Sequence, residues 1–151
     1  MFKGCRACHS LAVAKLMYDK ALQLTGNEFY AKKMFHLGMI HDIGYQFTEN
    51  NKEHAKVGGS FLKAEGYEFW EAVYEHGNPE IQNLSTELDL LNWADMHVDG
   101  NGNVVSFEER LKDIATRYGE GTDEYRYAKA VIDHIAVSFE NTWRKNNGIS
   151  N

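Results

Sequence analysis

Residues 28–44 read EFYAKKMFHLGMIHDIG. Tyr30, Met34 and Leu37 stand at i, i+4 and i+7 and His41 at i+11, so the apolar stripe of a helix from Glu28 to Asp42 ends on an imidazole. A carboxylate, Asp42, follows directly, and Gly44 closes the segment. Buried imidazole and carboxylate cost free energy unless hydrogen-bonded, paired or bound to a cation, so this stripe needs a partner at its end. A hydrogen-bonded core histidine beside a helix-ending aspartate meets that need as well as a metal site does. Consecutive residues of an ideal helix point about 100° apart. His41 and Asp42 therefore share one ion only if that turn is distorted or the ion lies across it.

The same helical period runs through the rest of the chain, which a single proline, Pro79, interrupts. The spacing predicts a first helix from Arg6 to Thr25, stopped by Gly26, with Val13, Leu16, Met17, Ala21, Leu24 and also His9 on its inner face. A third helix, from about Lys52 to Ala64, turns Val57, Phe61, Leu62 and His54 inward, and Gly58-Gly59-Ser60 allow a neighbouring helix to approach closely. A fourth, from Glu68 to near Gly77, turns in Phe69, Val73 and His76. Thr86 and Asp89 have capping-box spacing and open a helix whose Leu88 and Leu91 continue to Asp95. Residues 99–103, DGNGN, form a turn with a short hairpin at Val104 and Val105. Ser106 and Glu109 form a second capping box, opening a helix with Phe107, Leu111, Ile114 and Tyr118 inward. The last helix runs from Thr122 to about Lys145 on Tyr125, Ala128, Ile132, Ile135 and Phe139, and the tail from Asn146 is expected to fray. The fold class is all-α: a single-domain helical bundle over residues 1–151, with a core at 6–118 and a C-terminal helix at about 122–145.

Composition narrows the function. A chain of 151 residues buries a real core in one domain. A net charge of −6 without a lysine or arginine cluster argues against a nucleic-acid or anionic-membrane surface. No apolar run approaches the ~20 residues of a membrane span, and the amino terminus lacks the apolar stretch of a signal peptide, so the expected compartment is the cytoplasm. Two cysteines, Cys5 and Cys8, make no disulfide framework.

His9, His41 with Asp42, His54, His76 and Asp95 thus come from five predicted helices, and each histidine and Asp95 lies on its helix's inner stripe. Any one of them alone reads as a hydrogen-bonded core residue. Together they predict a central metal site. Imidazole nitrogen and carboxylate oxygen suit iron, manganese, cobalt, nickel or zinc, and no thiolate set argues for a closed structural zinc site. With two ions, Asp42 is the natural bridge.

The histidine of HSLAVA, then HDIG, then the aspartate of WADM resemble, in that order, the HD-domain superfamily of metal-dependent phosphohydrolases. The resemblance covers roughly Arg6 to Tyr118 and implies an HD-type helical bundle whose metal ligands are His9, His41, Asp42 and Asp95. His54 in EHAKVGGSFL and His76 in YEHGNP resemble the branches that bind two metals, including the diadenosine tetraphosphate hydrolases and HD-type phosphodiesterases. This chain carries Tyr45 where many members have lysine after HDIG. Its Asp42-to-His54 interval is also shorter than expected of the diadenosine tetraphosphate hydrolases. The implied cofactor is one or two divalent metals, magnesium included. The implied reaction is hydrolysis of a phosphate ester or anhydride of a small substrate, a nucleotide, by metal-activated water, with Asp42 orienting the nucleophile and Arg6 contacting phosphate. Lys52, Glu53 and Glu75 flank the candidate ligands, either as their partners or as surface charges. The competing function is a metal- or nucleotide-binding signalling module of the same fold without turnover.

Two other patterns compete for the same residues. Cys5-Arg6-Ala7-Cys8-His9 matches the haem c attachment pattern, which requires export and takes His9 from the other ligands. Asp99-Gly100-Asn101-Gly102 imitates a calcium loop, but either register leaves a wrong residue, His97 at the first position or Arg110 at the last. A solvated turn is the expected reading. His36, His97 and His134 are assigned no partner.

Overall fold

The computed structural model describes residues 4–81 and 83–146, with side chains described as far as Ala136. Seven α-helices form the described bundle: α1 Arg6–Thr25, α2 Glu28–Ile40, α3 His54–Ala64, α4 Trp70–Glu75, α5 Thr86–Asp95, α6 Phe107–Tyr118 and α7 Asp123–Asn146. The one extended pairing among the described residues is an isolated antiparallel bridge, Val98 to Val104, where the hairpin was expected. No described helix is long and apolar enough to cross a membrane. Phe139 and the tail beyond Asn146 lie outside the described side chains.

Helix ends follow local chemistry. Asn27 caps α2 by accepting the Tyr30 amide, and Ser106 and Glu109 close the predicted capping box reciprocally at α6. Removing the Ser106 hydroxyl costs about 1 kcal/mol. Ser106→Ala is therefore expected to lower Tm by about 2–4 °C in a melting experiment, with no other property of the molecule changed.

The core is built from the predicted stripes. Val13, Met17 and Ala21 of α1, Met34 and Leu37 of α2, and Leu88, Leu90, Leu91 and Ala94 of α5 are all essentially inaccessible. α5 packs against α1, α2, α4 and α7 and buries seven of its ten residues, the polar Asp89, Asn92 and Asp95 among them. α1 and α2 meet at Gly38, where an added Cβ would lie 2.6 Å from the Ala14 Cα. The expected close approach at Gly58 and Gly59 is also present. A Cβ on Gly59 would meet Tyr74 of α4 at 2.4 Å, and one on Gly58 would meet the backbone nitrogen of Gly44 at 2.8 Å.

Several boundaries differ from the sequence reading. α2 stops at Ile40, and Asp42, at φ −99° and ψ 19°, leads into a 3₁₀ turn, Ile43–Gln46. That is the distortion which the His41–Asp42 pair requires. α3 begins at His54 because Asn50 caps the preceding turn, accepting the Lys52 amide on its side chain and the His54 amide on its carbonyl. α4 begins at Trp70 rather than Glu68. The α5 cap is Ser85, extended and accepting the Leu88 amide, so Thr86 is the first helical residue and Asp89 is buried instead of capping. Phe61 is 37% and Tyr118 40% exposed. Phe61 spends its ring on Phe47, 4.9 Å away at the surface, and Tyr118 lies close enough to Tyr45 to add to the upward push that burial and Asp42 already give that phenol's pKa.

Candidate metal centre

Three of the candidate ligand histidines are oriented by one local device. Nδ1 of His41, His54 and His76 lies 2.7, 2.9 and 2.5 Å from the carbonyl oxygen three residues earlier, of Gly38, Asn51 and Val73. His9 uses a distant partner instead, its Nδ1 lying 2.9 Å from the carbonyl oxygen of Asp99. A carbonyl only accepts, so every Nδ1 carries a proton and every Nε2 presents a lone pair or a second proton.

Those four Nε2 atoms converge on two carboxylates. Asp42 turns one oxygen to each half of the cluster: Oδ2 lies 3.3 Å from His41 and 3.9 Å from His9, and Oδ1 lies 3.2 Å from His54 and 3.3 Å from His76. Asp95 Oδ1 completes the first half, 2.8 Å from His9 and 3.6 Å from His41. In the second half the Nε2 atoms of His54 and His76 face each other at 3.2 Å. Two lone pairs do not meet at that distance without positive charge on or between them. His41 is inaccessible to solvent, and no hydrogen bond satisfies its Nε2.

The electrostatics agree. Burial pulls His41 toward neutrality, but the carboxylates of Asp42 and Asp95 outweigh it and hold its pKa well above the usual imidazole range. Burial pushes Asp42 and Asp95 upward, and the facing imidazoles more than reverse this, so both acids stay ionised. A buried carboxylate, Asp95, and a largely buried one, Asp42, therefore depend on positive charge in the gap. Protons on Nε2 supply some of it. A divalent cation supplies it while also engaging the His41 Nε2 that no hydrogen bond satisfies, and the residues fit one: His9, His41 and Asp95 form one group with ligand spacing, and His41, Asp42 and His76 form another. The donors are nitrogen and oxygen alone, the set suited to iron, manganese, cobalt, nickel or zinc.

All six predicted ligands, His9, His41, Asp42, His54, His76 and Asp95, thus gather in one place. Arg6 lies beside them with its guanidinium 4.0 Å above the Tyr45 ring, and that ring stacks on His54 at 4.2 Å and 10°. The Tyr45 hydroxyl donates to Asn51 Oδ1 at 2.9 Å. Tyr45 thus braces His54, a candidate ligand. Lys52, Glu53 and Glu75 do not act as ligand partners: Lys52 pairs with Asp123 at 3.0 Å, Glu53 is exposed, and Glu75 accepts from Asn78.

The competing patterns dissolve. Cys5 and Cys8 are joined to each other, a single short link rather than a framework. Neither is free for haem attachment or ligation, and His9 is turned into the cluster. The Asp99 carboxylate is occupied by the amides of Asn101 and Asn103 and the Asn103 side chain, so this is the expected turn. His97 bonds the Val105 carbonyl and stacks on Phe107 at 3.9 Å.

Some contributors were not apparent from spacing. Asn92 accepts the Gly77 amide next to His76, and Arg110 reaches the Asp95 carbonyl. For Asn92 the signal was its position on the Asp95 helix, three residues earlier. For Arg110 there was none.

No curated protein and no solved structure gives a significant match. A family model described as HD domain matches residues 6–136, from the first residue of α1 into α7. That span holds every residue of the cluster, and it shows that the chain belongs to the HD domain family, whose members are usually metal-dependent phosphohydrolases.

Proposed function

We propose that this protein hydrolyses a phosphate ester or anhydride of a small substrate, a nucleotide, with one or two divalent cations held by His9, His41, Asp42, His54, His76 and Asp95. The observation that carries the reading is Asp42, whose two oxygens face two separate sets of imidazole nitrogens. When bound, the cations supply Lewis acidity toward a phosphoryl oxygen and lower the pKa of water to the neutral range. Asp42 orients the attacking water toward phosphorus. Arg6 binds the phosphate: it is an exposed cation, aimed by Tyr45, and no carboxylate among the described residues pairs with it. A fixed local cation beside the site reconciles an anionic substrate with a net charge of −6.

The test is a panel of nucleoside mono-, di- and triphosphates, cyclic and linear dinucleotides and simple phosphomonoesters, each with manganese, iron, cobalt, nickel, zinc or magnesium. Cation-dependent hydrolysis of at least one class is expected. On that substrate Arg6→Ala raises KM about tenfold or more, the value of one charge-assisted hydrogen bond, and changes kcat less. Near-stoichiometric bound metal with no hydrolysis across the panel overturns the enzyme in favour of the binding module.

A further inference from the structure

Behind the ligands stands a second network that touches none of the reacting atoms. Arg110 of α6 has its side chain only 12% exposed. Its Nε donates to the Asp95 backbone carbonyl at 3.3 Å, Nη2 lies 3.9 Å from Asp95 Oδ1, and Nη1 donates to Asp113 Oδ2 at 3.0 Å. Asp113 divides itself among three donors. Oδ2 also accepts the Gly100 amide at 3.2 Å, and Oδ1 accepts Arg117 Nε at 2.9 Å. The Arg117 guanidinium lies so close to Gly100 that an added Cβ there would sit 2.5 Å from its Cζ.

The held segment is the 99–103 turn, whose carbonyls serve α1. Asp99 O takes the Nδ1 proton of His9, and Gly100 O takes the Cys5 amide that opens α1. The turn is rigid because the Asp99 carboxylate binds its own Asn101 and Asn103 amides. A path of direct contacts therefore runs from α6 through Asp113 and Gly100 to the His9 ring, and another through Arg110 to Asp95. His9 and Asp95 are the two ligands that meet at 2.8 Å. A partly buried run of alternating charges is a poor way to gain stability, but it is an effective way to fix geometry.

We propose that Arg110 and Asp113 are positioning residues of the cation site: they bind no ion and set, through the 99–103 turn and the Asp95 backbone, where His9 Nε2 and Asp95 Oδ1 point. The proposal rests on the reading of the cluster as a cation site. Outer partners of metal ligands are worth about 10–100-fold in metal affinity.

The experiment titrates the full chain with Co²⁺, reading affinity by calorimetry and ligand geometry by the visible absorption of the bound ion. Arg110→Gln and Asp113→Ala are expected to weaken Co²⁺ binding about 10–100-fold and to alter the spectrum. Asp113→Asn, which keeps an acceptor for the Gly100 amide, recovers part of the loss. Arg110→Lys, which keeps the charge without the fork, recovers less. Ser106→Ala on the same helix is the stability control, lowering Tm without moving affinity or spectrum. If Asp113→Ala does not fold, the two conservative variants carry the test. Folded variants that bind Co²⁺ within twofold of wild type, with its spectrum, overturn the positioning role while the cation site stands. A wild-type protein that binds no Co²⁺ overturns the site itself, and the proposal with it.

Discussion

Asp42→Asn is expected to reduce hydrolysis by at least about 100-fold, to diminish the bound cation, and to leave the bundle folded. Losing a group one layer further out already costs about 10–100-fold in affinity or activity, and Asp42 contacts both halves of the cluster directly. The amide has the same outline but presents an NH₂ to one half, where it cannot ligate, and it removes one of the cluster's two negative charges. The thermal readout separates this from unfolding. At a concentration about 100 times its Kd, a cation stabilises the wild type by about 2.7 kcal/mol. For a chain of this size that is a Tm increase of about 5–11 °C. The variant is expected to lose most of that increase, reversibly with chelator in the wild type only. Equal turnover and an equal cation-dependent Tm in the variant would falsify the bridging role.

Gly44→Ala acts by sterics alone. A Cβ on Gly44 would lie 1.8 Å from the His54 carbonyl oxygen and 2.7 Å from its carbon. Both are backbone atoms, so no side chain can swing aside and α3 must move bodily. An added methyl in a packed interior costs about 1–3 kcal/mol, and the rigidity of the obstacle places this one near the upper end. The expected Tm loss is about 6–12 °C. The shift also draws His54 from Asp42 Oδ1, which it now approaches at 3.2 Å, so the second half of the cluster should lose its cation before the first. Calorimetry with elemental analysis checks both. A Tm within 2 °C of wild type, with unchanged metal content, sinks the argument.

What could be read from spacing was what lies on helical stripes. α1 and α6 have the predicted boundaries because their caps and their glycine stops are local, and the four histidines and Asp95 of the cluster were legible because each shares a helical stripe with apolar residues, whereas Asp42 was legible only as the neighbour of His41. Errors fell where tertiary structure decides. α2 ends early because His41 and Asp42 must both face the cluster, and Ser85 and Thr86 carry the same hydroxyl, so only the extended backbone at Ser85 tells cap from first turn. The roles of Arg110, Asp113 and the Asp99 carbonyl are not legible in the sequence because they act across long separations or through backbone atoms, which no side-chain pattern announces. In the sequence Tyr45 reads only as a missing lysine, although its contacts make it a brace for His54.

The unequal anchoring of the four imidazoles has a consequence for assembly. Rings steered by a carbonyl three residues back are pre-aimed as soon as their own segment forms, whereas the His9 ring finds its anchor only when residue 99 has come home across the chain. A half-assembled molecule owns three aimed rings and an unfinished cage. If the cluster holds a cation, tight capture is thereby reserved for the completed molecule, and loading would act as a final lock that reports on correct closure.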